Sequence, residues 1–101
     1  MSPVQLDVPH ERIAEFCRKW NVKELALFGS VLRDDFRPDS DVDVLVTFAE
    51  DATWRLWQWD DMVTELRTIF GRSVDLVNKK WLRNPFRRHA ILTTKQVLYA
   101  A

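Results

Sequence analysis

The run Asp41-Val42-Asp43-Val44-Leu45-Val46 constrains this chain more tightly than any other stretch of it. Its alternation predicts a strand over residues 41–48, with Val42, Val44 and Val46 on one face and Asp41, Asp43 and Leu45 on the other. The two aspartates then lie roughly 6–7 Å apart at the backbone. Carboxylates that close repel unless something cationic sits between them. An apolar strand is a poor place for that repulsion unless binding a cation is its purpose. Oxygen ligands with no His or Cys nearby favour Mg²⁺ or Mn²⁺ over zinc.

Around this strand the chain reads as alternating helices and strands. A helix starts near Pro9, a residue suited to the first turn, and runs to about Trp20. Ile13, Phe16, Cys17 and Trp20 form one apolar stripe on it, which makes Cys17 a core residue rather than a nucleophile. Asn21 closes this helix. Residues 25–28 read as a short buried strand ending at Gly29, 30–35 as a short helix, and 37–40 as a turn. A long helix is expected over 54–70, capped by Asp51 or Thr53 and stopped by a left-handed Gly71. Its core stripe is Leu56, Trp59, Met62, Val63, Leu66, Ile69 and Phe70. Residues 73–77 read as a third strand. Asn84-Pro85 pairs an N-cap with a first-turn proline for a helix to about Leu92, and 96–99 form a last, edge strand. The order implies an α/β (α+β) fold, a small mixed β-sheet flanked by helices, in a single domain over 1–101.

Fifteen basic residues balance fifteen acidic ones, for a formal net charge of zero. That argues against a general nucleic-acid binder and leaves room for a nucleotide, which needs only a local basic patch. The single cysteine excludes an internal disulfide and suits a reducing compartment. No apolar run approaches the ~20 residues needed to span a membrane, and the N-terminus has no signal-peptide pattern. The expected location is the cytoplasm.

Two further features bear on the chemistry. Asp75 stands between Val74 and Leu76, where an acid is costly without a partner. If its strand lies beside the second one, three carboxylates meet on one face, the arrangement that holds two divalent ions on a triphosphate and an incoming hydroxyl. Gly29 ends a strand and Ser30 opens a helix, so backbone N–H groups can approach phosphate oxygens there. Arg33, one turn on, offers a cation or pairs with a neighbouring acid.

Taken together, Gly29-Ser30, ten intervening residues ending at Ser40, and Asp41-Val42-Asp43 resemble the Gly-Ser-x₁₀-Asp-x-Asp signature of the DNA polymerase β-like nucleotidyltransferase superfamily. The chain resembles its minimal members, the MNT proteins, over about residues 9–100, and Gly71-Arg72-Ser73-Val74-Asp75 resembles their third-carboxylate strand. The resemblance implies a polymerase β-like nucleotidyltransferase fold. It also implies that Gly29, Ser30, Arg33 and Ser40 bind the nucleotide. Asp41, Asp43 and Asp75 are implied as the catalytic, metal-binding set for two Mg²⁺ ions, with Mn²⁺ able to substitute and ATP as substrate. A HEPN-domain toxin is implied as partner, receiving AMP on a tyrosine, with this chain as antitoxin. Little chain remains for an acceptor-binding domain, which also favours an acceptor presented by another protein. The alternatives are a non-catalytic antitoxin that acts by occlusion and nucleotidyl transfer to a small molecule.

Other features weigh less. Asp39, Asp41, Asp43 and Glu50 imitate a calcium loop, but Val44 stands where that loop's sharp turn needs glycine. His10 and His89 have no partner at ligand spacing. Trp54 and Trp57 fall opposite the core stripe of the long helix and are expected to form part of a docking surface. Lys79, Lys80, Arg83, Arg87 and Arg88 form a basic cluster, either a solvated face or a contact for nucleotide phosphates or an acidic partner.

Overall fold

A computed structural model of the chain describes residues 8–32 and 40–101. The elements are α1 (His10–Lys19), β1 (Val22–Phe28), a 3-10 turn (Gly29–Leu32), β2 (Val42–Phe48), α2 (Leu56–Phe70), β3 (Val74–Asn78), a second 3-10 turn (Lys79–Trp81), α3 (Pro85–Thr94) and β4 (Gln96–Ala100). The four strands form one mixed sheet in the order β3-β2-β1-β4. β1 runs antiparallel to both neighbours. β2 and β3 are parallel and joined through α2, as a parallel pair requires a long crossover.

The central strands are buried on both faces, and this divides the core in two. On one face Val42, Val44 and Val46 meet Leu25 and Leu27 under α1 and α2, which contribute Ile13, Phe16, Cys17, Met62 and Leu66. On the other, Ala26, Phe28 and Leu45 pack under Leu82 and Ile91. The period-two reading of β2 is thereby realised as two separate clusters. Among the described residues α3 and the turn before it cover the second face, and two helices cover the first.

Local chemistry explains most boundaries. Asn21 ends α1 in the left-handed region at φ 56°, which Asn tolerates, and its Nδ2 donates to Asp51 at 3.0 Å. Gly71, at φ 71°, stops α2, its N–H donating to the Arg67 carbonyl at 2.8 Å. The Asn84 side chain accepts from the N–H groups of Phe86 and Arg87 at 3.0 and 3.1 Å. The Trp20 indole donates to Glu65 at 3.1 Å and ties α1 to α2.

Several expectations need correction. The first strand begins at Val22, not at residue 25. Glu24 is accommodated there because Lys95, at the end of α3 just before β4, pairs with it. β2 begins at Val42, so Asp41 stands just outside it. The helix expected over 30–35 is a single 3-10 turn ending at Leu32 within the described residues; 33–35 lie outside them. α2 starts at Leu56 rather than Trp54, and neither Asp51 nor Thr53 caps it. The Gln58 side chain instead accepts from the Arg55 N–H at 2.7 Å.

The late start changes what the tryptophans do. Residues 52–55 carry Trp54 back onto the sheet, where its ring meets Phe48, Trp59 and Trp81 at centroid distances of 5.3, 5.4 and 6.3 Å. Trp54 is therefore half-buried against the core, and of the expected docking pair only Trp57 stands out, 63% exposed. Leu56, assigned to the core stripe, is 82% exposed, because the first turn of α2 projects past its neighbours while Met62, Leu66 and Phe70 bury.

Candidate active site

The site forms where the ends of three strands meet on the face that α3 covers. Phe28, the last residue of β1, is in register with Asp43 of β2, and Asp43 is in register with Asp75 of β3. Side chains in register share a face. The Val42 N–H donates to the Ser73 carbonyl at 2.9 Å, locking the heads of β2 and β3 together just before the two acids. Asp43 is half-buried, whereas Asp41 and Asp75 are exposed, as befits a residue outside its strand and one on an edge strand. Ser40 is half-buried immediately upstream.

Gly29 closes the arrangement from the β1 side. It has φ 74°, a conformation disfavoured for any residue with a side chain. A β-carbon there would overlap Asp43 Oδ2 and lie 3.2 Å from its Cγ. Glycine is thus required twice, by the backbone turn and by the carboxylate beside it. The turn that follows is anchored by Val31, which is fully buried. Arg33 and Asp39 lie outside the described residues.

The donors gathered here are oxygens, the chemistry of a hard cation. Among the described residues no three His, Cys, Asp or Glu side chains converge closely enough to hold an ion by themselves. Asp43 beside Asp75, with Asp41 at the rim, instead suits the way Mg²⁺ is bound, through one or two carboxylates together with substrate phosphates and water. The residues present fit such an ion.

Three other features fall into place. Cys17 is buried in the opposite cluster, and desolvation pushes its thiol up to about 12. His10 and His89 are exposed. Of the basic cluster, Lys79 is half-buried and the other four are exposed, but Arg87 has a particular setting. It lines a hollow of about 270 Å³ with Phe28, Gly29, Ala90, Ile91 and Thr94, on the carboxylate face. The linear sequence assigned Arg87 only to a general basic cluster; its one local signal was a position in the first turn of a helix capped by Asn84. A groove of about 310 Å³ between α1 and α2 lies on the far face, away from these groups.

A family model described as the nucleotidyltransferase domain matches residues 11–98. The chain belongs to that family. This nucleotidyltransferase is 36% identical over 73 residues to a Methanocaldococcus jannaschii protein provisionally assigned as protein adenylyltransferase MJ1379, covering 72% of this chain and 73% of the relative. It is 32% identical over 85 residues to the protein adenylyltransferase MntA of Thermococcus cleftensis, covering 84% and 81%. A solved structure provisionally assigned as a minimal nucleotidyltransferase superposes with a TM-score of 0.69 at 31% identity, covering 85% of each chain. Another solved structure, of a tri-AMPylated Shewanella oneidensis HEPN toxin in complex with its MNT antitoxin, matches with a TM-score of 0.64 at 20% identity, covering 91% of this chain and 70% of that one. The mixed four-stranded sheet with three helices is the minimal nucleotidyltransferase fold. No helix among the described residues is long and apolar enough to cross a membrane.

Proposed function

We propose that this nucleotidyltransferase is an Mg²⁺-dependent protein adenylyltransferase of the cytoplasm. It transfers AMP from ATP to a tyrosine hydroxyl of a HEPN-domain toxin and so serves as that toxin's antitoxin. The observation that carries this reading is Asp43, wedged against Gly29 on one side and in register with Asp75 on the other. The protein acceptor is supported by the relatives named protein adenylyltransferase and by the AMPylated HEPN toxin seen beside an MNT chain.

In this reading Asp41, Asp43 and Asp75 would hold two Mg²⁺ ions, together with the substrate phosphates, and Mn²⁺ could substitute. When bound, Mg²⁺ neutralises the triphosphate and stabilises the charge that develops on the outgoing oxygen. Gly29 opens a path for backbone N–H groups to the phosphate oxygens, and Ser30, Ser40 and Arg33 add hydroxyls and a cation. Asp75 orients the tyrosine hydroxyl or takes its proton. The hydroxyl oxygen bonds to the α-phosphorus in line as the bond to the β-phosphate oxygen breaks, and pyrophosphate leaves.

The test is incubation with each labelled nucleoside triphosphate and Mg²⁺, with and without the HEPN-domain protein. Label on that protein, lost with Asp43→Asn, supports the reading; no label from any of the four nucleotides overturns it. The exposed rings of Trp57 and Trp81 favour a second reading, neutralisation by occlusion, in which a partner covers them. Replacing both Asp41 and Asp43 by Asn separates the two. Undiminished neutralisation by that variant assigns the effect to occlusion.

A further inference from the structure

The order of groups across the strand ends gives the site a direction. Asp75 belongs to β3, Asp43 to β2 and Gly29 follows β1, and the strands stand in the order β3-β2-β1. Beyond Gly29 on the same face comes the hollow under α3, where Arg87 is the only charged residue of the lining among the described residues. Among the described residues no acid forms an ion pair with its guanidinium. The backbone of Arg87 is held in the first turn of α3, its N–H donating to Asn84 Oδ1 at 3.1 Å. A guanidinium on so fixed a backbone, facing an open hollow, is suited to a phosphate, which it can engage with two parallel hydrogen bonds.

We infer that Arg87 binds the β- and γ-phosphates of the nucleotide and holds the pyrophosphate as it departs, an inference that rests on the nucleotidyl-transfer reading of the site. In-line displacement requires the attacking hydroxyl and the leaving group on opposite sides of the α-phosphorus. Asp75 stands at one end of the row and Arg87 at the other, with Asp43 and Gly29 between. With the attacking hydroxyl at Asp75, the leaving pyrophosphate points the other way along the row. The direction that leads away from Asp75 ends at Arg87.

The experiment is calorimetric titration of the whole chain with Mg²⁺-ATP and, by competition, with AMP, for the wild type and for Arg87→Ala, Arg87→Lys and Arg18→Ala. Arg18 lies exposed on α1, which covers the other face, and its variant controls for lost surface charge. A charge-assisted contact to the tail predicts that Arg87→Ala weakens ATP by about ten-fold or more, leaves AMP within about two-fold, and is partly rescued by Arg87→Lys. Equal losses for ATP and AMP, or none for ATP, overturn the assignment. A wild-type chain that binds neither nucleotide overturns the reading of the site itself, and the Arg87 assignment falls with it.

Discussion

The carboxylate of Asp43 fills the space that a side chain at residue 29 would occupy. The two positions are fourteen apart in sequence, yet the antiparallel pairing of β1 and β2 brings Asp43 opposite Phe28 and so against the glycine that follows it. The glycine and the acid, which the proposed reading gives to phosphate and to the cation, are therefore one packing unit.

Gly29→Ala is expected to act through that contact. The β-carbon must push Asp43 aside or distort a backbone already at φ 74°. Nucleotidyl transfer should fall by about a hundred-fold or more, given how steeply rate depends on placement. Stability should fall by about 1–3 kcal/mol. Labelled-nucleotide transfer and urea denaturation measure the two losses. An active, fully stable variant would contradict the geometry.

Asp43 and Asp75 are like charges in register across the β2–β3 pair, and they repel one another. Asp75→Asn should leave the metal-free protein as stable as the wild type, or more stable by about 0.5 kcal/mol, because like charges opposite one another destabilise a sheet. On the proposed reading, added Mg²⁺ should raise the Tm of the wild type, and the same substitution should abolish that rise. Thermal scans with and without Mg²⁺ check both halves.

Cys17 should be silent chemically and visible in the pH dependence of stability. Burial raises its thiol from 9.0 to about 12, so iodoacetamide at pH 8 should label it only after unfolding. The sign follows from linkage. Above pH 9.0 the unfolded chain loses this proton before the folded one does, so the folded state holds more protons. Stability from this group is complete below that pH and is lost as pH rises toward about 12. Denaturation curves for the wild type and Cys17→Ala should therefore converge as pH is raised through that window.

The aromatic residues divide into two classes with opposite expectations. Trp54→Ala removes ring contacts to Phe48, Trp59 and Trp81 and should cost about 2–3 kcal/mol of stability. Trp57→Ser, at an exposed ring, should leave stability within about 0.5 kcal/mol. On the reading of the chain as an antitoxin, it should weaken capture of the HEPN-domain partner. Urea midpoints and a pull-down with that partner distinguish the two behaviours.

The sequence by itself determined the elements and the candidate residues, because those depend on local chemistry. Period-two alternation marked β2, the apolar stripe marked α1, and Gly71 and Asn84-Pro85 marked a helix end and a helix start. The motif around Gly29-Ser30 and Asp41/Asp43 pointed to the chemistry for the same reason: its parts are close along the chain. The start of α2 was not legible, because long-range ring contacts carry Trp54 out of the helix its neighbours would favour. Nor was strand order. Only the folded sheet decided that Asp75 lies beside Asp43, that Gly29 lies against it, and that α3 brings Arg87 to the same face. Those relations depend on which strands pair and which face each helix covers, and pairing is a property of the whole core.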